Sequence, residues 1–411
     1  MGKVYIRTYA YNAERTLRRT VDSVLNQTYA DFVYYLCDNG STDGTRGIVE
    51  EYASRDSRIK AFYNTVNRAF HETEDCLFLP YNIEADDYFC SLDADDEYLP
   101  TFFEEMLAFM DKCDLDIAVC GSDFLSVADS NKLMGQRLLP QDLILQGNGF
   151  ADYFPIYHQF VRTTWGKLSK GQTLGNTVQD GAAPGFPRAY GGDTYNAMRT
   201  FRDAKRVGIL SRSLHKYYVS NKTVSYVMHP ERVRSDQIMH EVALDYLKPF
   251  GEISPRNEDF LHAVYLNALR DTLEVLLNAN ISIKEKLTGL IEMFTCEYTH
   301  KLVARERFGT NIGQAQECQH SRKEFFTVAA NWLLSLSEVP DEQVEDYCNI
   351  GELACAAAEY PEGWVSFNKL RIRIYMEQGQ IEKAKTKLDE LVKLLPDDAD
   401  VRVLCTEIIG N

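Results

Sequence analysis

No uninterrupted apolar run approaches the roughly 20 residues that a membrane-crossing helix requires. The first twenty positions mix polar and apolar residues where a secretory leader would be apolar. The expectation is a soluble, cytoplasmic protein, peripheral at most to the inner face of a membrane. Ten cysteines are scattered without one Cys-x-x-Cys pair, which argues for reduced thiols rather than a zinc or disulfide framework. Cations are scarce: 44 Lys and Arg stand against 61 Asp and Glu, a net charge of −17. A surface that tracks a nucleic-acid backbone is therefore not expected, although a metal or a few local cations would still allow one diphosphate to bind. The first apolar segment is followed by Tyr9-Ala10-Tyr11-Asn12, with no glycine, so the Gly-rich loop that a sugar nucleotidyltransferase would place there is missing.

What is present reads as alternating strands and helices. Val4 to Tyr9, Phe32 to Cys37, Ile59 to Tyr63, Asp87 to Leu92 and Ile117 to Cys120 read as strands. Asn12 is expected to cap a helix with Leu17, Val21, Val24 and Leu25 on its apolar face. Val207 to Leu210 and Leu214 to Val219 read as two further short strands. Alternation of this kind implies a mostly parallel sheet flanked by helices, and such sheets bind ligands at the carboxyl ends of their strands. Beyond about Pro230 the pattern is helical throughout. With 411 residues, 45% of them hydrophobic, the chain can bury more than one core. The expected division is 1–230 for the α/β domain, 231–340 for a helical domain and 341–411 for helical hairpins. Tyr375, Gly379, Ala384, Leu388 and Pro396 fall at tetratricopeptide spacings, although Asn368 and Ile372 depart from that repeat.

The stretch with the sharpest chemistry is Ser91-Leu92-Asp93-Ala94-Asp95-Asp96-Glu97. It carries adjacent carboxylates off the end of a buried strand. They repel one another unless protons or a hard cation compensate them, and oxygen ligands suit Mg²⁺ or Mn²⁺ shared with a phosphate-bearing ligand. Asp114-Leu115-Asp116 and Asp398-Ala399-Asp400 share the Asp-x-Asp spacing but stand beside ordinary turns. Asp38-Asn39-Gly40-Ser41-Thr42-Asp43-Gly44 has the composition of any strand-to-helix turn. Asp193, in the first turn of a helix, is favoured there by the helix dipole with or without a reaction to perform. Trp165 reads either as an apolar anchor for the sheet or as a stacking surface for an acceptor sugar.

Taken in order, Thr8-Tyr9, Ser23-Val24-Leu25-Asn26-Gln27-Thr28-Tyr29, Asp38 to Thr45 and Leu92-Asp93-Ala94-Asp95-Asp96 resemble the inverting family 2 glycosyltransferases of GT-A fold. The resemblance is strongest in the first hundred residues and fades beyond Tyr226. It implies a Rossmann-like mixed sheet, followed here by an all-α carboxyl-terminal region. It implies that Thr8, Tyr9, Asp38 and Arg68 meet the nucleotide, that Asp93 lies near ribose and metal, and that Asp95 is the principal ligand of Mn²⁺ or Mg²⁺. Asp193 matches the family's general base. Gly192 stands where the family carries Glu, and Ser220 stands where some members carry a metal-binding His, leaving Lys222 or His229 as replacements. The implied activity is transfer of one sugar from a UDP-sugar to a glycan, lipid-linked or protein acceptor. The competing expectation is an inactive fold of this type serving as a helical scaffold. In either case a second copy or a protein partner would use the carboxyl-terminal helices.

Overall fold

The computed structural model describes residues 2–67, 83–129, 131–173, 191–219, 227–304 and 312–409. Two compact units result: Met1–Tyr226 with Ile238–Ile253, and Val227–Gln237 with Ser254–Asn411.

In the first unit, strands Val4–Ala10 (β1), Phe32–Asn39 (β2), Ile59–Asn64 (β3) and Tyr88–Ser91 (β4) pair in parallel. Helices Leu17–Leu25 (α1) and Thr45–Arg55 (α2) connect the first three. A short strand, Glu97–Tyr98 (β5), precedes helix Phe102–Cys113 (α3) and strand Ile117–Ser126 (β6). Two strands follow that hydropathy alone did not reveal: Lys132–Arg137 (β7), which folds back antiparallel on β6, and Leu143–Gln146 (β8). Two single-turn helices, Gly149–Asp152 (α4) and Phe154–Tyr157 (α5), lead to strand Lys167–Lys170 (β9), helix Gly192–Asp203 (α6) and strand Arg206–Val219 (β10). The spatial order is β3-β2-β1-β4-β9-β6-β10-β5, with β7 beside β6 and β8 beside β10.

The segment expected as two short strands is one, β10, whose pairing with β6 slips between Ile209 and Ser213 and again before His215. Such bulges break the two-residue alternation from which strands are read. Asn12 also departs from expectation. It sits at φ 50°, and α1 starts five residues later, with Thr16 in the capping position.

Alternation decides the faces of the sheet. Val4, Ile6, Leu36, Cys90 and Ala118 point into one apolar core with Val21 and Val24 of α1 and Phe102, Phe103, Met106 and Met110 of α3. Elsewhere in the unit Phe154 and Tyr157 pack on Tyr246 and Phe201, and Phe150 stacks on Phe250. Tyr246 belongs to helix Arg232–Leu247 (α7), whose later half lies in this unit and whose opening turns lie in the other.

The second unit is helical: Pro255–Asn278 (α8), Ile283–Thr295 (α9), Glu297–Ala304 (α10), Ile312–Leu334 (α11), Val344–Ala357 (α12), Pro361–Glu377 (α13), Ile381–Leu394 (α14) and Ala399–Ile409 (α15). Its starts are encoded locally. Ser254 caps α8 ahead of Pro255, and Ser282 with Glu285 closes a reciprocal capping box on α9. Ala384, Leu388, Val401 and Leu404 share a small core with Ile372. Among the described residues no helix is long and apolar enough to cross a membrane.

Candidate active site

β9 runs antiparallel to both β4 and β6, so those two strands share a direction, and β10 runs parallel to β6. The carboxyl ends of β1, β2, β4 and β6 therefore lie along one edge of the sheet, and β9 begins there. Onto that edge β4 delivers Leu92 and Asp93.

Helix α1 then fixes the turn. Thr16 Oγ1 donates to the Ala94 carbonyl at 2.9 Å, Arg19 Nη2 to that of Asp95 at 2.5 Å, and Thr20 Oγ1 to that of Asp96 at 2.8 Å. Three successive carbonyls are held by three side chains of one helix face, which sets where the carboxylates point. Asp93 and Asp95 stay exposed, while Asp96 is buried. Its Oδ1 accepts from the Tyr218 backbone N–H at 3.1 Å, and its Oδ2 lies 3.3 Å from His215 Nε2. Of three carboxylates equivalent in the sequence, one is structural and two face solvent.

Asp93 and Asp95 are exposed yet crowded by protein, as groups on a cleft floor are. Desolvation raises the Asp93 pKa well above the ordinary carboxylate value, followed by the charges of Asp96, Asp193 and Asp95, with Arg7 opposing. Desolvation raises Asp95 as well, against Arg19 and His215. Crowded carboxyls of this kind gain from a cation. Among the described residues no three His, Cys, Asp or Glu side chains stand together as a complete metal site. Two hard oxygen donors whose remaining positions are left to a ligand and water nonetheless fit Mg²⁺ or Mn²⁺.

Asp193 reaches the same region from another direction. Gly191 (φ 96°) turns the chain into α6, and a Cβ there would lie 2.7 Å from Met239 Sδ. The Asp193 side chain is exposed in the first turn of α6. Desolvation raises its pKa, while the charges of Lys167 and then Arg7 lower it. Arg7 in turn feels both Asp193 and Asp93. The structure thus brings Asp93, Asp95 and Asp193 into one neighbourhood.

Two cations there were absent from the sequence expectations. Arg7 stands opposite Ser91 in the β1–β4 ladder and donates to its Oγ at 3.1 Å. The β4–β9 pairing ends at Phe89 and Ser169, and beyond it the Tyr98 hydroxyl lies between the strands, donating to the Ser91 carbonyl at 2.6 Å and accepting from the Gly166 N–H at 3.0 Å. Lys167, opposite Val119 in the β6–β9 ladder, faces the same side of the sheet as Ser169 and hence as Arg7 and Ser91 by alternation. The signal for Arg7 was available, since it alternates with the apolar Val4 and Ile6; Lys167 required the reversed direction of β9.

Other expected contacts meet different uses of the side chains. Thr8 is fully buried: its hydroxyl donates to the Leu92 carbonyl at 2.8 Å and accepts from Tyr34 at 3.0 Å. It steadies the β1–β4 junction from inside the protein. Trp165 is also buried, stacked on His215 at 4.3 Å and on Tyr217 at 5.5 Å, with the Arg137 guanidinium 4.8 Å from its ring centre. It is an anchor, and an acceptor sugar would not find this ring free. Asp38 ends β2 at the site edge, buried, with Oδ1 accepting from the Ser41 N–H at 3.1 Å. Tyr9 packs beside Cys37, its ring 5.4 Å from the Arg7 guanidinium carbon. His229 Nδ1 accepts from the Glu231 N–H at the start of a helix turn in the second unit. Arg68, Ser220 and Lys222 lie outside the described residues.

Residues 6–161 match the family Glycosyl transferase family 2. The amino-terminal unit carries a family 2 glycosyltransferase domain. Over 140 residues it is 36% identical to EpsE of Bacillus subtilis, a span that covers 34% of this chain and 48% of EpsE. Over 134 residues it is 29% identical to WfgD of Escherichia coli, a UDP-Glc:alpha-D-GlcNAc-diphosphoundecaprenol beta-1,3-glucosyltransferase, covering 33% of this chain and 50% of that one. The chain thus spans about half the length of these curated relatives. A solved structure of TarS from S. aureus (residues 1–349, with UDP-GlcNAc) aligns over 92% of each chain at 15% identity and a TM-score of 0.44. The family 2 match includes Asp38, Asp93 and Asp95 and ends before Lys167 and Asp193.

Proposed function

We propose that this protein is an inverting, metal-dependent glycosyltransferase that moves one sugar from a UDP-sugar to an acceptor hydroxyl. One observation carries the reading: Asp93 and Asp95 reach solvent from a turn pinned by α1, and the exposed Asp193 bears on Asp93 from α6. Asp95 and Asp93 would hold Mn²⁺ or Mg²⁺, whose charge, when bound, favours departure of a nucleoside diphosphate. In this reading Asp38, at the end of β2, would receive the base.

In this scheme Asp193 takes the proton from the acceptor hydroxyl. The acceptor oxygen forms the new bond to the anomeric carbon on the face away from the diphosphate. The old anomeric C–O bond breaks with its electron pair on the departing phosphate oxygen, and the configuration inverts. General-base assistance of this kind contributes about 10²–10⁴-fold. Arg7 and Lys167 favour the ionised form of Asp193, which is the form that accepts a proton. The name of WfgD supports UDP-glucose as the first donor to try and a lipid-linked diphosphosugar as the acceptor class, so the site would work beside a membrane surface.

Turnover across a panel of UDP-sugars with Mn²⁺, together with calorimetry of UDP binding, tests the reading. Asp95→Ala is expected to lose the Mn²⁺-dependent part of UDP binding. Asp193→Asn is expected to keep that binding while transfer falls at least about 100-fold. Equal binding with and without Mn²⁺ in wild type and Asp95→Ala, or undiminished turnover in Asp193→Asn, would reject it.

A further inference from the structure

Lys167 is an expensive residue for a protein to bury. It is 7% exposed, and its ammonium donates to the Thr163 carbonyl and, at 3.4 Å, to the Trp165 carbonyl. An ammonium carries three donors, so these two bonds leave one N–H to aim elsewhere. The turn that holds it also holds the start of α6, because Thr194 Oγ1, one residue after Asp193, donates to the Arg162 carbonyl at 3.2 Å. Two adjacent carbonyls, those of Arg162 and Thr163, are thus bonded by the neighbour of Asp193 and by Lys167. By strand alternation Lys167 also faces the same side of the sheet as Arg7 and Ser91, at the edge where Asp93 leaves β4.

We propose that Lys167 is a positioning residue for Asp193: the Arg162–Trp165 turn brackets the ammonium and the start of α6 together, so that a buried cation fixed near that helix start keeps the carboxylate ionised. This rests on the reading of Asp193 as general base. The charged and titratable groups around the pair are Arg7 on β1, Asp93 after β4, Cys120 on β6, Arg137 on β7 and His215 on β10. Burial and Arg137 lower the Lys167 pKa to about 7, with Asp193 opposing. The ammonium is therefore charged across the acidic range in which a carboxylate base loses activity. Arg7 acts on Asp193 in the same sense but is bonded to Ser91.

A carboxylate works as a base only above its own pKa, and a neighbouring cation lowers that pKa. Removing the cation must therefore move the acid limb of the pH–rate profile to higher pH. With the UDP-sugar that turns over in the donor screen, Lys167→Met is expected to lower kcat at least about 10-fold and to move the acid limb up by about 1 pH unit or more, with Mn²⁺-dependent UDP binding unchanged. Lys167→Arg is expected to restore much of the limb position. A readout without turnover is a thermal-unfolding cycle, in which the effect of Lys167→Met should shrink in the Asp193→Asn background. Should Lys167→Met fail to fold, Thr194→Val leaves the ammonium in place and loosens only the bracket; it is expected to reduce kcat several-fold and to move the same limb upward.

An unmoved acid limb in a folded Lys167→Met protein, additive effects in the cycle, or an unaltered profile in Thr194→Val would overturn the proposal. Such a result alongside a dead Asp193→Asn leaves the general-base reading standing. Full activity in Asp193→Asn removes both.

Discussion

Gly40 is the residue on which the end of β2 turns. It sits at φ +75°, and a Cβ added there would lie 2.3 Å from the Val66 carbonyl carbon and 2.6 Å from the Asn67 nitrogen. Backbone cannot swing aside as a long side chain can. The left-handed conformation alone costs a non-glycine residue about 1–2 kcal/mol, and the collision adds to it. Gly192 is the opposite case, with open space where its Cβ would be and a position in the first turn of α6, where a carboxylate is favoured. Gly40→Ala should therefore lower the unfolding temperature by about 4 °C or more, whereas Gly192→Glu, the family's residue, should leave it unchanged or slightly raised. Differential scanning calorimetry of the two variants checks both signs; equal shifts would mean that the Asp38–Thr45 turn is looser than its contacts indicate. Both glycines were visible in the sequence, but only the approach of Val66 distinguishes the required one from the permitted one.

At the scale of elements, the Asp93–Asp96 turn and α1 act as one piece. Thr20 is fully buried and its hydroxyl meets the Asp96 carbonyl, so Thr20→Val keeps the shape but leaves a buried carbonyl unpaired, at a cost of about 1–3 kcal/mol. The turn that carries Asp95 is then less well held. Mn²⁺-dependent UDP binding should weaken by about 3–10-fold while metal-independent binding stays the same, as calorimetry would show; intact metal-dependent binding would mean that α1 does not set the carboxylates. Here the sequence was legible in part. The strand-then-carboxylates pattern put Asp93 and Asp95 at the sheet edge, because alternation and turn chemistry are local. It did not separate Asp96 from them, because that assignment depends on His215 and Tyr218, more than a hundred residues away on a strand with two register breaks. Thr8 shows the same limit. Its place at the end of β1 was readable, but its burial under Tyr34 and Leu92 was not.

At the scale of the whole molecule, the change from strand pattern to helix pattern near Pro230 does not coincide with the edge of the first unit. That unit takes back Ile238–Ile253, and Tyr246 and Phe250 from this stretch stack on Phe154 and Phe150. The Tyr246 hydroxyl also bonds that of Tyr157 at 2.9 Å, inside the protein. A fragment ending at residue 230 would strip the cover from three large aromatic side chains that are almost wholly buried, Phe150, Phe154 and Tyr157. Each such side chain is worth about 1.5–3 kcal/mol when removed from water, and the lost sum rivals the net stability of an ordinary domain. A fragment ending at residue 253 keeps the cover, although it also retains Val227–Gln237, whose own apolar contacts lie in the second unit. Expressed side by side, the 1–253 fragment should melt cooperatively and remain monodisperse, while the 1–230 fragment should aggregate or melt without a sharp transition. Equal melting of the two would show that the aromatic layer under α7 contributes little, and would put the boundary back where the hydropathy pattern changes.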